Sequence, residues 1–443
     1  MAAARVWDAI VVGAGGAHGS AALYHLAKRG ARVLGLEAQP AAPHSRGSSH
    51  GISRIIRMSY FEHPSYVPLM RESFRLWREL EAASGEKLLT LTGCLNAAPK
   101  GPAAHGLNCF DGALLSAQEH GLQHEVLSAA QAMARFPALR LPEGTQVLYE
   151  RKAGFLAPEK CIEAHLALAQ RQHGAELLCG TKVLSWRVVP AAAEQESSQT
   201  SGSVGMQQQA QDAGHADCRG SSVEQGEAAV EVDTDRGVFR ARRLVLAGGG
   251  WMPQLVPELK LLLAVERQVV GWFAVAPEQR QHFSPSALPV FLLQDEQGYY
   301  YGFPEDEFGF KLGKFHHRHE VTTADGVDRT IGPADEEALR QCLRRYFPAA
   351  DGRLARAATC TFTNTPDGHF ILDRHPRWPQ VVLASACSGH GFKFAPVIGS
   401  ILADLALNGG GGSAHAPDIA LHRLHRGRPG QAEVLDALLG GAT

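Results

Sequence analysis

The stretch from Trp7 to Glu37 constrains the fold more than any other part of the chain. Ile10-Val11-Val12 is a short apolar, β-branched run of the kind that fills a parallel strand buried on both faces. Glycines follow at once, at Gly13, Gly15, Gly16 and Gly19. Ser20 to Arg29 then carries Leu23, Leu26 and Ala27 at helical spacing, with Gly30 as the stop. Arg32 to Leu36 reads as a second strand, and Glu37 stands at its C-terminal end. Turn glycines let a pyrophosphate approach the backbone, and the helix N-terminus offers it unpaired N–H groups and the positive end of a dipole. An acid about 20 residues downstream is placed to accept from a ribose 2′-OH, and Glu37 holds that place. The unit reads as a dinucleotide site, the alternative being a glycine-rich turn of an ordinary α/β protein that binds nothing. Its glycine spacing departs from G-x-G-x-x-G, because the third glycine falls at Gly19, one residue late.

A length of 443 residues suggests two domains. Net charge of −2 argues against nucleic acid or a polybasic membrane role. No apolar run reaches the roughly 18 residues of a spanning helix. The first strand starts by residue 9, leaving no room for a signal peptide, and the terminal Gly-Ala-Thr is not a Ser-Lys-Leu peroxisomal address. Cytoplasm and peroxisome both stay open. The 8 cysteines lack C-x-x-C pairs, which fits a reducing compartment with no disulfide framework and no zinc site.

Pro43 to Gly51 is a polar loop whose Ser48, Ser49 and His50 allow close approach to a cofactor. Arg54 and Arg57 follow, three apart; on a helical turn they would share a face. Arginine is the side chain best shaped to grip a carboxylate, although solvated surface arginines are the commoner case. Tyr66 to Ala83 is an amphipathic helix. Short strands alternate over 88–150 with helices near 112–121 and 128–135, and Lys160 to His173 is another helix. Residues 191–228 are rich in Ser, Gln, Gly and Ala and read as a disordered insertion between hairpin strands Val183–Val189 and Ala229–Val238. Arg243 to Ala247 is a strand entering the turn Gly248-Gly249-Gly250-Trp251. Val265 to Val275, Phe291 to Gln294, Tyr299 to Phe303 and Phe308 to His317 read as further strands, and Asp335 to Phe347 as a helix. Cys360 to Asp373 leads into strand Val381 to Ala384, and Ser388-Gly389-His390-Gly391-Phe392-Lys393 precedes the apolar helix Val397 to Leu407. That places His390 and Lys393 beside a second helix N-terminus suited to a cofactor. The run His316-His317-Arg318-His319 has no carboxylate or thiolate at ligand spacing, so no metal is expected.

These pieces together resemble the FAD-dependent amine oxidases that include monomeric sarcosine oxidase, L-pipecolate oxidase and N-methyl-L-tryptophan oxidase. The segments PHSRGSSHGISRIIRMSY, AGGGW, ERQVVGWF, YYYGFP, CTFTNTPDGHFILDRHP and SGHGFKFAP carry the resemblance, in the family's order. It implies an α/β fold: a doubly wound FAD domain from 1–88, 150–255 and 350–430, and a mixed-sheet substrate domain from 89–149 and 256–349. It implies covalent FAD on Cys360, a substrate carboxylate held by Arg57 and Lys393, and an oxygen-activating Lys311, with Lys314 next in line. Arg54 is implied near the flavin, Tyr301 and His316 on the substrate side with His317 as the alternative to His316, and Glu37 on the ribose. Gly13, Gly15, Gly19, Ser48, Ser49, His50, Gly389, His390, Gly391 and Lys393 are expected around the cofactor. Phe362 stands where sarcosine oxidase has a tyrosine, which removes a hydroxyl from the pocket. The expected activity is oxidation of a secondary amino acid such as sarcosine or L-pipecolate to an imine, with O2 giving hydrogen peroxide, by a monomer. The alternatives are a dehydrogenase of the same fold and a silent flavin-fold binding protein.

Overall fold

The computed structural model describes residues 5–101, 107–189, 229–408 and 420–424, with Val434 and Leu438. The strand Val6–Val12 lies at the centre of the first sheet. Its residues Ala9 to Val11 are fully buried, which is why this position takes a continuous apolar run. Val33–Glu37 flanks it in parallel on one side and Gly237–Leu246 on the other. Glu176–Cys179 extends the parallel array beyond Val33–Glu37, and Val381–Ser385 extends it beyond the end of Gly237–Leu246. The hairpin Val183–Val189 with Ala229–Thr234 and the strand Ile371–Arg374 add antiparallel edges. Helix Ala17–Lys28 is buried nearly all round because helices Pro158–His173 and Ala395–Leu407 pack against it. Small residues make that possible: a side chain at Gly399 would reach 2.5 Å from the Ala21 backbone.

The second sheet is mixed. Ala264–Phe273 pairs along its whole length with Leu354–Asn364. On its other side it meets Gly309–Lys314 and Val321–Thr322. The sheet continues through Gly298–Asp306 and Val290–Asp295 to Cys94–Pro99, Thr145–Glu150 and Glu125–Ser128. Helix Pro333–Tyr346 buries Leu339, Cys342 and Leu343 in the core of this sheet, with Phe273, Phe291, Phe310 and Phe347. Among the described residues, no helix is long and apolar enough to cross a membrane.

Several expectations change. Arg54–Ile56 is a short strand paired with Gly154–Leu156, so Arg54 and Arg57 do not share a helical face. Residues 354–364, expected with the nucleotide half, pair with the second sheet, because Thr359 to Asn364 are the register partners of Ala264 to Val269. The strand expected over Phe308–His317 ends at Lys314, where the chain turns and His316 takes a left-handed φ of 55°. The insertion expected at 191–228 lies outside the described residues; its flanks, Val189 and Ala229, face each other as register partners.

Candidate active site

The glycine turn is built around Glu37. Its buried carboxylate accepts from Gly15 N at 2.9 Å and Gln39 N at 2.8 Å, and lies 3.4 Å from His44 Nε2. A Cβ at Gly15 would stand 2.6 Å from Glu37 Oε2. The late third glycine also has a cause. A Cβ at Gly19 would be 2.1 Å from Gly13 O, so Gly19 lets the helix approach the turn closely. The residue between, His18, turns towards Gly391 O at 3.3 Å. Burial drops its pKa to about 4 against the pull of that carbonyl, so it is neutral. Helix Ala17–Lys28 has no side-chain cap, which leaves its first N–H groups for a ligand.

From this turn a cavity of about 570 Å³ opens between the two sheets, the size of a cofactor and substrate site. Gly13, Gly15, Glu37, Ser48, Ser49, Gly249, Gly250 and Trp251 line it on the nucleotide side, as do Gly389, His390 and Gly391. Arg54, Arg57, Tyr301, Phe303, Cys360, Phe362 and Lys393 line it on the side of the second sheet. The shaved turn, the acid at the strand end and the uncapped helix fit the pyrophosphate and ribose of FAD.

Two buried cations stand at this second side. The Arg57 guanidinium, 2% exposed, donates to both Glu62 oxygens at 2.8 and 2.7 Å and to Ser59 O at 2.9 Å. It lies over the Tyr60 ring. The loop carrying it is fixed by Glu150, which accepts from Met58 N and Ser59 N. Burial works against the Glu62 carboxylate, but Arg57, His390 and Lys393 outweigh it and hold its pKa below the ordinary value. Lys393 Nζ donates to His390 O at 2.8 Å, and the Lys393 carbonyl accepts from Trp77 Nε1 and Ser73 Oγ. Burial, with Arg57 adding repulsion and Glu62 opposing, brings its pKa down to about 7. Tyr60 Oη lies 2.6 Å from His390 Nδ1. Burial takes the His390 pKa down to about 4.

Lys311 is fully buried. Its Nζ donates to Gly51 O at 2.5 Å, Ser53 Oγ at 2.9 Å and Ser53 O at 3.0 Å. Arg54 donates to Ser48 O and Ser53 O, so two cations hold the carbonyls of this loop while Glu159 accepts its Gly51 N–H. Burial, then Arg54, drops the Lys311 pKa well below its ordinary value. Burial pushes the Cys360 thiol up, while Arg54, Lys311 and Arg329 pull it back.

Not every candidate reaches the cavity. Lys311 and His50 sit behind its wall, and Gly19 serves packing. His316 is half-exposed and faces Glu266, its Nδ1 2.6 Å from the carboxylate. The alternative, His317, points under the second sheet to Asp335 at 3.0 Å. The strand ended before either histidine could follow Lys311 inward. The carboxylate thought missing beside the histidine run is Glu266, which lies 50 residues upstream and was invisible to local spacing. Tyr60, Glu62 and His18 also escaped the sequence reading; an acid five residues after Arg57 was the available signal for Glu62.

The family described as FAD dependent oxidoreductase matches residues 8–405. The chain is 38% identical to monomeric sarcosine oxidase of Streptomyces avermitilis, over 91% of this chain and 94% of that one. It is 30% identical to N-methyl-L-tryptophan oxidase of Salmonella dublin, over 95% and 99% of the two chains. Its fold is similar to that of NikD, an unusual amino acid oxidase essential for nikkomycin biosynthesis, with a TM-score of 0.71 at 24% identity over 91% and 94% of the chains. With the shaved glycine turn, Glu37 and the cavity between two sheets already in place, the chain belongs to the FAD-dependent oxidoreductase family that contains the sarcosine oxidases.

Proposed function

We propose that this protein is an oxidase of small secondary amino acids, N-methylated or cyclic, of the sarcosine or L-pipecolate type. The observation that carries the reading is the pair of buried cations, Arg57 and Lys393, at one side of a cavity whose other side fits FAD. Such a pair suits a carboxylate, because charged hydrogen bonds in a buried site are strong and fix orientation. The incoming carboxylate takes the place of Glu62 on Arg57 and accepts a second bond from Lys393. Trp77 and Ser73, donating to the Lys393 carbonyl, hold its backbone in place, and the His390 carbonyl accepts from its Nζ. The amine end is left against Tyr301 and Phe362, apolar apart from the tyrosine hydroxyl. Glu37 and the Gly13–Gly19 turn would hold the nucleotide of FAD, and Ser48, Ser49 and the Gly389–Gly391 turn the rest of the cofactor. When bound, FAD would supply the two-electron acceptor that lets the substrate C–N unit become an imine, which water would hydrolyse, and the two electrons, with two protons, would pass on to O2 as hydrogen peroxide.

Cys360 would hold the flavin covalently. It is 4% exposed and lines the cavity; burial raises its thiol pKa, and Arg54, Lys311 and Arg329 offset only part of that rise. Lys311 is the group for the oxygen step: its Nζ sits in a buried cage of oxygens where a proton can be held or released. The relatives' assignments to sarcosine and N-methyl-L-tryptophan support the substrate class, and the name of the monomeric relatives supports a monomer. Aerobic peroxide release from sarcosine, L-pipecolate, L-proline and N-methyl-L-tryptophan tests the reading. Turnover of at least one is expected; flavin reduction without peroxide would make the protein a dehydrogenase, and no reduction by any would refute the class.

A further inference from the structure

Among the described residues outside the cavity, one cluster has the donors of a metal centre. Glu266, on the strand Ala264–Phe273, is 4% exposed. Its Oε2 accepts from Asn364 Nδ2 at 2.7 Å and lies 2.6 Å from His316 Nδ1. Its Oε1 is buried without a hydrogen-bond partner and lies 3.9 Å from His319 Nδ1. Asn364 Oδ1 is buried and unpartnered as well. One ligand atom from each of Glu266, His316 and His319 falls within 4.8 Å of the others. A buried carboxylate oxygen left without a donor is costly, and such orphans in a folded protein call for a ligand.

We propose that Glu266, His316 and His319 bind a divalent transition-metal ion of the zinc class, with water or the Asn364 amide oxygen completing the shell. Two imidazoles and a carboxylate suit zinc, whereas calcium and magnesium take oxygen sets. Tetrahedral ligands at zinc distances stand about 3.3 Å apart, so His316 Nδ1 and Glu266 Oε2 must part by about 0.7 Å. Both rings have room for that: the His316 and His319 side chains are 47% and 80% exposed, and Glu266 alone is anchored in a strand. The buried carboxylate faces outward to an accessible pair of histidines, which gives the ion a way in. Phe315 and Phe362, neighbours of His316 and Asn364 in the chain, line the cavity, so the ion lies just behind its wall.

Both histidines have left-handed backbone, with φ of 55° and 56°. Asparagine tolerates that conformation, so His316→Asn and His319→Asn remove an imidazole without straining the turn. The test is equilibrium dialysis of chelator-treated holoenzyme against Zn2+, with FAD absorbance and melting temperature as controls for folding. We expect one zinc taken up saturably by the unmodified protein and at least about tenfold weaker uptake by His319→Asn, with His316→Asn in agreement. His319 is a surface side chain, so that variant decides the matter if His316→Asn folds poorly. No saturable uptake by the unmodified protein, or equal uptake by folded His319→Asn, overturns the proposal. Substrate takes no part in the assay, so the result is independent of the proposed activity.

Discussion

Lys393 makes carboxylate binding pH-dependent in a way that can be worked out from its neighbours. Five groups face its ammonium or share its pocket. Glu62 is held ionised, and Arg57 is charged throughout. His390, near 4, is neutral above about pH 5. Burial pushes Tyr60 and Cys94 upward, so both stay neutral. Only Lys393, at about 7, changes charge between about pH 6 and pH 9. Its pKa lies below that of a free lysine, so the charged form is present in the free site at low pH and lost as pH rises through 7. A simple carboxylate such as acetate stays ionised over this range. Its dissociation constant should be flat below about pH 7, then rise about tenfold per pH unit. The rise ends at the level Arg57 supports alone. A charged hydrogen bond contributes about 1.5–3 kcal/mol, so the total loss is about ten- to hundredfold. Titration of the flavin spectrum with acetate at successive pH values reads this directly. Lys393→Met should bind at the high-pH level at every pH. An unchanged constant in the native protein, or the same pH dependence in Lys393→Met, would refute the reasoning.

Removing the competitor on Arg57 should act in the opposite sense: Glu62→Gln should tighten acetate by about tenfold at low pH, seen in the same titration. Acid-precipitated protein should remain yellow, and Cys360→Ser should release its flavin; release from the unmodified protein would end the covalent assignment. Lys311→Met should slow reoxidation of reduced flavin by O2 far more than its reduction by substrate, as read by stopped flow, and equal effects would remove it from the oxygen step. Replacing 191–228 by a short Gly/Ser bridge should leave flavin content and melting temperature unchanged, because Val189 and Ala229 already face each other and loop-closure cost varies slowly with length.

The parts that were legible in the sequence are those set by local pattern. The run Ile10–Val12, the turn glycines and Glu37 needed only neighbours within one βαβ unit. The turn Gly389–Gly391 before its helix was legible for the same reason. What escaped depends on contacts across the chain. Glu62 turns inward because Arg57 is buried and needs a counter-ion, which no periodicity records. His316 faces Glu266 because the strand from Gly309 stops at Lys314 and turns through a left-handed residue; a side chain one position further flips to another face. Residues 354–364 joined the second sheet through pairing with 264–273, a partnership set by register across about 90 residues of chain. Spacing alone would put the arginine pair on one face of a helical turn; instead Arg54 opens a short strand and Arg57 sits on the loop after it, and both still line the cavity.

The central claim is that a carboxylate, fixed by Arg57 and Lys393, presents a secondary amine for oxidation. The most direct measurement is anaerobic reduction of the bound flavin by sarcosine and L-pipecolate, each beside its own carboxamide. The amide keeps the amine and shape but removes the anion. We predict reduction by at least one of the two amino acids, and reduction by its amide slower by at least the tenfold that one charged hydrogen bond represents. An amide that reduces the flavin as fast as its parent acid would contradict the account.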